Sequence, residues 1–332
     1  MASPPRVSVV IDNYNYGRYL RQAIESVLAQ DYAGGVECVV SDDGSTDESR
    51  EVIGSFGGRV KAVLGPNRGQ ATAFNAGFAA ATGEIVCLLD SDDYWTKDKV
   101  ASIAPLFADP EVGLVEHYLQ DVDAAGAPLP RSFPPWPEEY ALEDFLERRV
   151  HFTATSGLAF RKSILDRILP IPKEVFNYLD TLLCVKALCL AKTRNLPKVL
   201  GFHRVHGANY WAGDLRNPKT LELDLRMRAL FKADIEPWLA KRGARLSPRW
   251  ETLESLEVSR RRILLHMLKG ERGAAAREWA ALVRDHGASR MGLFRAATCL
   301  TALASPWLYL RLYELYGSST LLPSARGRLL PG

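Results

Sequence analysis

The chain has 332 residues, 47% hydrophobic and 24% charged, a globular composition whose length allows about two units at ~150 residues each. Its five cysteines (Cys38, Cys87, Cys184, Cys189, Cys299) are scattered, which excludes a cysteine-spaced metal site and reads as reduced thiols in a cytosolic protein. Net charge is +3, but residues 241–332 hold 16 Lys and Arg against 7 Asp and Glu, while residues 1–240 hold 26 against 32. An acidic body with a basic tail fits either an anionic partner for the tail or an ordinary solvated helical face.

The first apolar run, Val7–Ile11, is too short for a signal peptide and has no small-residue cleavage site after it. It reads as a strand. Helical periodicity follows over Tyr19–Gln30 through Leu20, Ile24, Val27 and Leu28, then a second strand over Val36–Val40. Ser45 and Glu48 have the spacing of a capping box for a helix running to about Phe56. Val60–Leu64 is a third strand, Gln70–Ala80 a small Ala-rich helix, and Ile85–Leu89 a fourth strand. Alternation at this spacing predicts a mostly parallel α/β sheet with helices on both faces. Ligands on such sheets gather at the carboxyl ends of the strands.

Beyond residue 96 the pattern weakens. Residues 126–137 are loop-like, with Pro128, Pro130, Pro134, Pro135 and Pro137. Helices are predicted over Leu142–Arg149 and Leu179–Ala191, and then over Thr220–Lys232, Glu251–Lys269 and Ala274–Asp285. Lys269–Gly273 separates the last two as the turn of a helical hairpin. Ala296–Leu310 is uncharged over 15 residues and contains Pro306, short of the ~20 needed to span a bilayer. Trp307, Tyr309, Tyr313 and Tyr316 cluster beside it, so it reads either as a buried helix hairpin or as an interfacial segment.

The strand ends carry the chemistry. They read Asp12-Asn13-Tyr14-Asn15, Ser41-Asp42-Asp43-Gly44, Gly65-Pro66-Asn67-Arg68 and Asp90-Ser91-Asp92-Asp93. Carboxylates converging on one sheet edge repel, so a cation is expected among them. Asp90-x-Asp92 offers hard oxygen ligands for Mn²⁺ or Mg²⁺ that also holds diphosphate oxygens. Asp121-x-Asp123 has the same form but sits in a turn, and a bare pair of this kind is weak evidence among 19 aspartates. Asp42 stands where a carboxylate can accept a donor from a bound ring, or serves only the turn. Tyr14 offers an aromatic face to a nucleobase or packs in the core. Arg68 is placed to reach a phosphate or is a surface residue.

Taken together, "VSVVIDNYNYGRYLRQAIESVLAQ", "VVSDDGSTDES", "NRGQATAFNAGFAAATGEIVCLLDSDDYW", "LPIP" followed by "YLDTLL", and "FHRVHGANY" resemble glycosyltransferase family 2, enzymes of the GT-A fold. The resemblance runs from Val7 to about Asn209 and is poor across 110–150. It implies a GT-A catalytic domain over 1–215, nucleotide-binding to residue 95 and acceptor-binding and catalytic over 96–215, followed by a helical extension over 216–332. It implies an inverting, metal-dependent transfer from a nucleotide-sugar, usually a UDP-sugar, to a saccharide or lipid-linked acceptor. By residue, Asp42 would bind the base with Tyr14 packed on it. Asp90 would lie near the ribose, and Asp92, with Asp90 and His206, near a Mn²⁺ or Mg²⁺ ion. Asp12, Asp43, Arg68, Asn75 and Ser91 would complete the donor site, although Asp12 departs from the Thr, Pro or Asn usual there. Asp180 matches the family's general base.

Other readings fit less well. A sugar nucleotidyltransferase needs a Gly-rich, Arg-containing loop where this chain has "DNYNYGRYL". Neither acidic stretch fits an EF-hand, since Tyr94 falls where an oxygen ligand belongs. The basic residues are mostly helical Arg without an RNA-reading motif, which argues against nucleic acid. A nucleotide-binding member without catalysis stays open. The basic tail and the uncharged run together lead to the expectation of a cytoplasmic protein held peripherally at an anionic inner membrane face.

Overall fold

The computed structural model describes residues 3–133, 135–175, 178–207 and 215–318, with backbone alone for 314–318. Pro134, Asn209 and the side chain of Tyr316, named above, lie outside the described residues. Contacts divide the chain into two units: 1–142 with 150–209, and 143–149 with 210–332. The boundary expected near 215 therefore has a companion, because a short internal segment groups with the helical unit.

The first unit opens with strand β1 (Val7–Asn13), helix α1 (Gly17–Leu28), β2 (Val36–Asp42), α2 (Ser49–Ser55), β3 (Val60–Leu64), α3 (Gln70–Ala80) and β4 (Ile85–Asp90). Val7, Val9, Val10 and Ile11 are all fully buried, as a strand covered on both faces requires. On one face α1 buries Leu20, Ala23, Ile24 and Val27 at helical spacing. On the other, α3 lies so close that a β-carbon on Gly77 would fall 2.5 Å from Val10 Cγ1. The predicted capping box does not form. The side chain at the N-cap of α2, Glu48, makes no capping bond, because Ser45 Oγ is taken by Asn13 Nδ2 at 3.1 Å and Asn15 N at 2.9 Å. Asp47 serves the turn instead, accepting from Ser49 N at 3.0 Å and Gly17 N at 2.9 Å.

The chain continues through β5 (Tyr94–Trp95), α4 (Lys99–Ile103), β6 (Val112–Val122), α5 (Leu142–Leu146), β7 (Leu158–Arg161), α6 (Lys162–Ile168), α7 (Leu179–Leu188) and β8 (Lys192–Arg204). The sheet order is β3-β2-β1-β4-β7-β6-β8-β5. Pairings β2–β3, β1–β2, β1–β4 and β6–β8 are parallel, while β4–β7, β6–β7 and β5–β8 are antiparallel. The sheet is thus mixed, and its first four strands form an all-parallel block.

In the second unit, α5 stands with α8 (Pro218–Ala240), α9 (Pro248–Leu268), α10 (Arg272–His286), α11 (Arg290–Ala304) and α12 (Pro306–Ser318). Its core gathers Leu221, Leu256, Ile263, Leu264, Leu282 and Cys299. The uncharged run is not one segment: Pro306, which lacks the backbone N–H a helix interior needs, begins α12. No helix among the described residues is long and apolar enough to cross a membrane.

Candidate active site

The strand order reverses between β1 and β4, because the chain lays β2 and β3 to one side of β1 and then crosses to the other. Such a reversal opens a crevice at the carboxyl edge of a parallel sheet. Register places Asp12 opposite Asp90 across it, and Asn13 opposite Asp42 on the other side. The carboxyls of Asp12 and Asp90 lie within hydrogen-bond reach of each other. Burial raises Asp12 to about 7, with the Asp92 charge adding. Burial and then the charges of Asp12, Asp93 and Asp92 push Asp90 well above the carboxylate range. Asp12 Oδ2 accepts from Gln70 Nε2 at 2.9 Å, while its buried Oδ1 has no other protein donor.

Asp92 Oδ2 lies 3.0 Å from His206 Nε2. The His206 ring stacks on Tyr19 at 5.1 Å and meets Tyr16 at 5.7 Å. Tyr16 also senses Asp92, Asp90 and Asp12; burial first, and then those charges, raise its hydroxyl pKa. Asp12, Asp90, Asp92 and His206 are thus one group, with Tyr16 against it. Among the described residues no three His, Cys, Asp or Glu stand at metal-holding spacing. The donor set still fits a hard divalent ion completed by ligand oxygens: carboxylates, one imidazole, and a buried carboxylate oxygen facing another acid.

The neighbouring acids are saturated by internal donors. Asp93 accepts from Ser156 Oγ at 2.6 Å and Arg204 N at 2.8 Å. Arg204 in turn donates to Asp92 O, Ala124 O and Gln22 Oε1, fixing the backbone behind the site. Asp43 spends both oxygens on Arg68 N and Gly69 N, each at 2.8 Å, and so shapes the loop after β3. Asp42 is buried, which opposes its charge, but bonds from Ser45, Asn13 and Arg50 outweigh that and hold its pKa low. Tyr14 is 43% exposed and Ser91 is buried. The Arg68 side chain is exposed. Asn75 exchanges hydrogen bonds with the backbone of Ile171, Nδ2 to O at 2.8 Å and N to Oδ1 at 2.9 Å, so it pins the segment after α6.

Asp180 is half-buried in the first turn of α7. Its Oδ1 accepts from Thr181 N at 2.6 Å, and burial raises its pKa. Its charge is felt by Glu116, a buried residue of β6, and by Cys184. Glu116 binds the Tyr140 hydroxyl and accepts from Thr153 N at 3.0 Å.

Tyr16, Tyr19, Gln70, Arg204 and Glu116 had not been singled out from the sequence. The first four sit inside the quoted motif stretches, where their types gave no role apart from the fold. Glu116 had a visible signal: a lone acid inside the apolar run "VGLVEHYL".

Residues 8–169 match the family model for glycosyl transferase family 2. An uncharacterized glycosyltransferase of Nostoc sp. is 39% identical over 215 residues, covering 61% of this chain and 66% of that protein. Chondroitin synthase of Pasteurella multocida is 33% identical over 211 residues, 62% of this chain and 21% of that one. The chain spans less than two thirds of the length of these curated relatives. Among solved structures, S. aureus TarS 1–349 in complex with UDP-GlcNAc superposes with TM-score 0.56 at 19% identity, covering 82% of this chain and 89% of that one. A mannosyltransferase of Pyrobaculum calidifontis in complex with GDP-Man and Mn²⁺ gives 0.53 at 20% identity, covering 96% and 90%. With its acids gathered at the strand reversal and this agreement in sequence and fold, the region over residues 8–169 belongs to glycosyltransferase family 2.

Proposed function

We propose that the protein transfers a sugar from a nucleoside-diphosphate sugar, a UDP-sugar, to an acceptor hydroxyl with inversion, in the synthesis of a cell-surface polysaccharide or glycolipid. The observation that carries this is the Asp12–Asp90–Asp92–His206 group at the reversal of the sheet. A relative named chondroitin synthase and a neighbour holding UDP-GlcNAc support the donor class. Asp42 and Tyr14 take the base, and exposed Arg68 reaches the phosphates. Asp92 and His206, with Asp90 beside them, would hold Mn²⁺ or Mg²⁺, which when bound would supply positive charge for the departing diphosphate. Asp180 removes the acceptor proton, a task to which a carboxyl raised by burial is better matched at neutral pH than an ordinary aspartate.

Calorimetry with UDP, with and without Mn²⁺, tests the donor site. Asp92→Asn should weaken metal-dependent binding far more than Asp123→Asn. Asp123 merely closes a turn through Ala125 N and Ala127 N. Equal UDP affinity after chelation sinks the metal role. In a panel of nucleotide sugars with Mn²⁺, Asp180→Asn should keep UDP affinity and cut turnover by about a hundredfold, the scale of a positioned base. Binding of donors without any turnover would favour a nucleotide-binding protein that lacks catalysis.

A further inference from the structure

Ten large hydrophobic side chains are exposed among the described residues, and seven of them fall within 293–313, on α11 and α12. Their spacing is helical. Leu293, Ala297, Leu300 and Ala304 form the outer stripe of α11, while Gly292, Ala296, Cys299 and Ala302 face inward. On α12, Leu308 and Leu312 point out one turn apart, beside exposed Trp307, while Tyr309 and Leu310 point in. Both helices are therefore apolar on two sides, and the unit's own core uses only one. A contiguous exposed apolar face of this kind marks an interaction surface.

Charge identifies what covers it. From His286 to Tyr313 the chain has no Asp or Glu, but it has Arg290, Arg295 and Arg311. Arg295 is engaged by Glu257, and Arg290 and Arg311 are exposed at the two ends of the stripe. A two-fold pairing of copies sets the same patch against itself, which would bring arginines together with no acid among the described side chains of the patch to answer them. An anionic lipid surface supplies the missing charge. Helices of 15 and 13 residues are shorter than the ~20 residues of a membrane span, so they suit the interface plane, where indole and phenol rings are at home. We propose that the outer face of α11 and α12 docks the protein on an anionic lipid bilayer, the helices lying in the headgroup layer.

Flotation of the full chain with vesicles of phosphatidylcholine alone, or with phosphatidylglycerol added, tests this. The expected result is partition onto the anionic vesicles that weakens with salt. Arg290→Gln combined with Arg311→Gln should weaken it about thirtyfold, at about fivefold for each arginine near an anionic leaflet. Leu300→Ser with Trp307→Ser and Leu308→Ser should abolish it while the thermal transition persists, since these side chains face outward. Protein left in the soluble fraction with anionic vesicles at low salt overturns the proposal. So does equal binding to both vesicle types. A concentration-dependent dimer that the triple serine variant dissociates would assign the face to a second copy of the chain and overturn it as well.

Discussion

The acids of one sheet edge differ by what their oxygens touch. Asp43 and Asp93 are saturated by internal donors and shape loops, whereas Asp12 and Asp90 face each other and Asp92 faces an imidazole. Acids that crowd one another in a buried place are costly, and such clusters mark sites where a bound cation or ligand offsets the cost. Glu116 is a different case, fully buried among neutral donors. Burial raises it from 4.5 to about 8, against bonds from Tyr140 and Thr153 that favour its charge. Folding therefore takes up a proton between these two values. The stability contributed is fully present below about pH 4.5 and is lost as pH rises toward 8. Glu116→Gln keeps a carbonyl for Thr153 N and an amide for the Tyr140 hydroxyl without that proton. It should match the parent near pH 4.5 and exceed it at pH 8 by on the order of 1–3 kcal/mol, read from urea denaturation at the two pH values. A variant less stable at pH 8 than its parent would show Glu116 to be ionised in the fold.

Among elements, the parallel half was legible in the sequence because β1 and β4 are buried on both faces and leave continuous apolar runs. The acids that follow them marked the reactive edge. Strand β8 was less visible: "KTRNLPKVLGFHR" is polar and broken by Pro197, and it pairs with β6 through register shifts. The capping box failed because a spacing of Ser and Glu does not reveal that Asn13 and Asn15 compete for Ser45. Asn75, which the resemblance puts in the donor site, bonds the backbone of Ile171, 96 residues away, a partner no local pattern could show. Helix α3 shows how close these layers lie. Its Gly77 faces Val10, and an added methyl would stand 2.5 Å from Val10 Cγ1 and 3.4 Å from Ser41 Cβ. Gly77→Ala gains ~1 kcal/mol of helix propensity but overpacks a buried β-branched side chain at a cost of about 1–3 kcal/mol. A lower denaturation midpoint is expected. An unchanged or higher one would mean that α3 can move off β1 freely.

In the whole molecule, the chain contributes residues 143–149 to the helical unit before the first unit is complete. Within that unit Phe145 and Leu146 are buried. Leu146 O accepts from Ser247 Oγ at 2.6 Å, Arg148 bonds Glu254 at 2.8 Å, and its guanidinium lies 4.8 Å from the Trp250 ring centre. A chain ended at 215 would keep this segment and lose Ser247, Trp250 and Glu254, which it meets in the helical unit. Such a protein should self-associate at concentrations where the full chain does not, as followed by light scattering, and Phe145→Ser with Leu146→Ser should relieve it. If the shortened chain stays monodisperse without those changes, the segment has found cover within the first unit. The same interleaving bears on descent. A single recombination joint near residue 210 would pair a helical unit with another lineage's 143–149 segment, so exchange of that unit between relatives requires two joints or a shared set of residues at 145, 146 and 148.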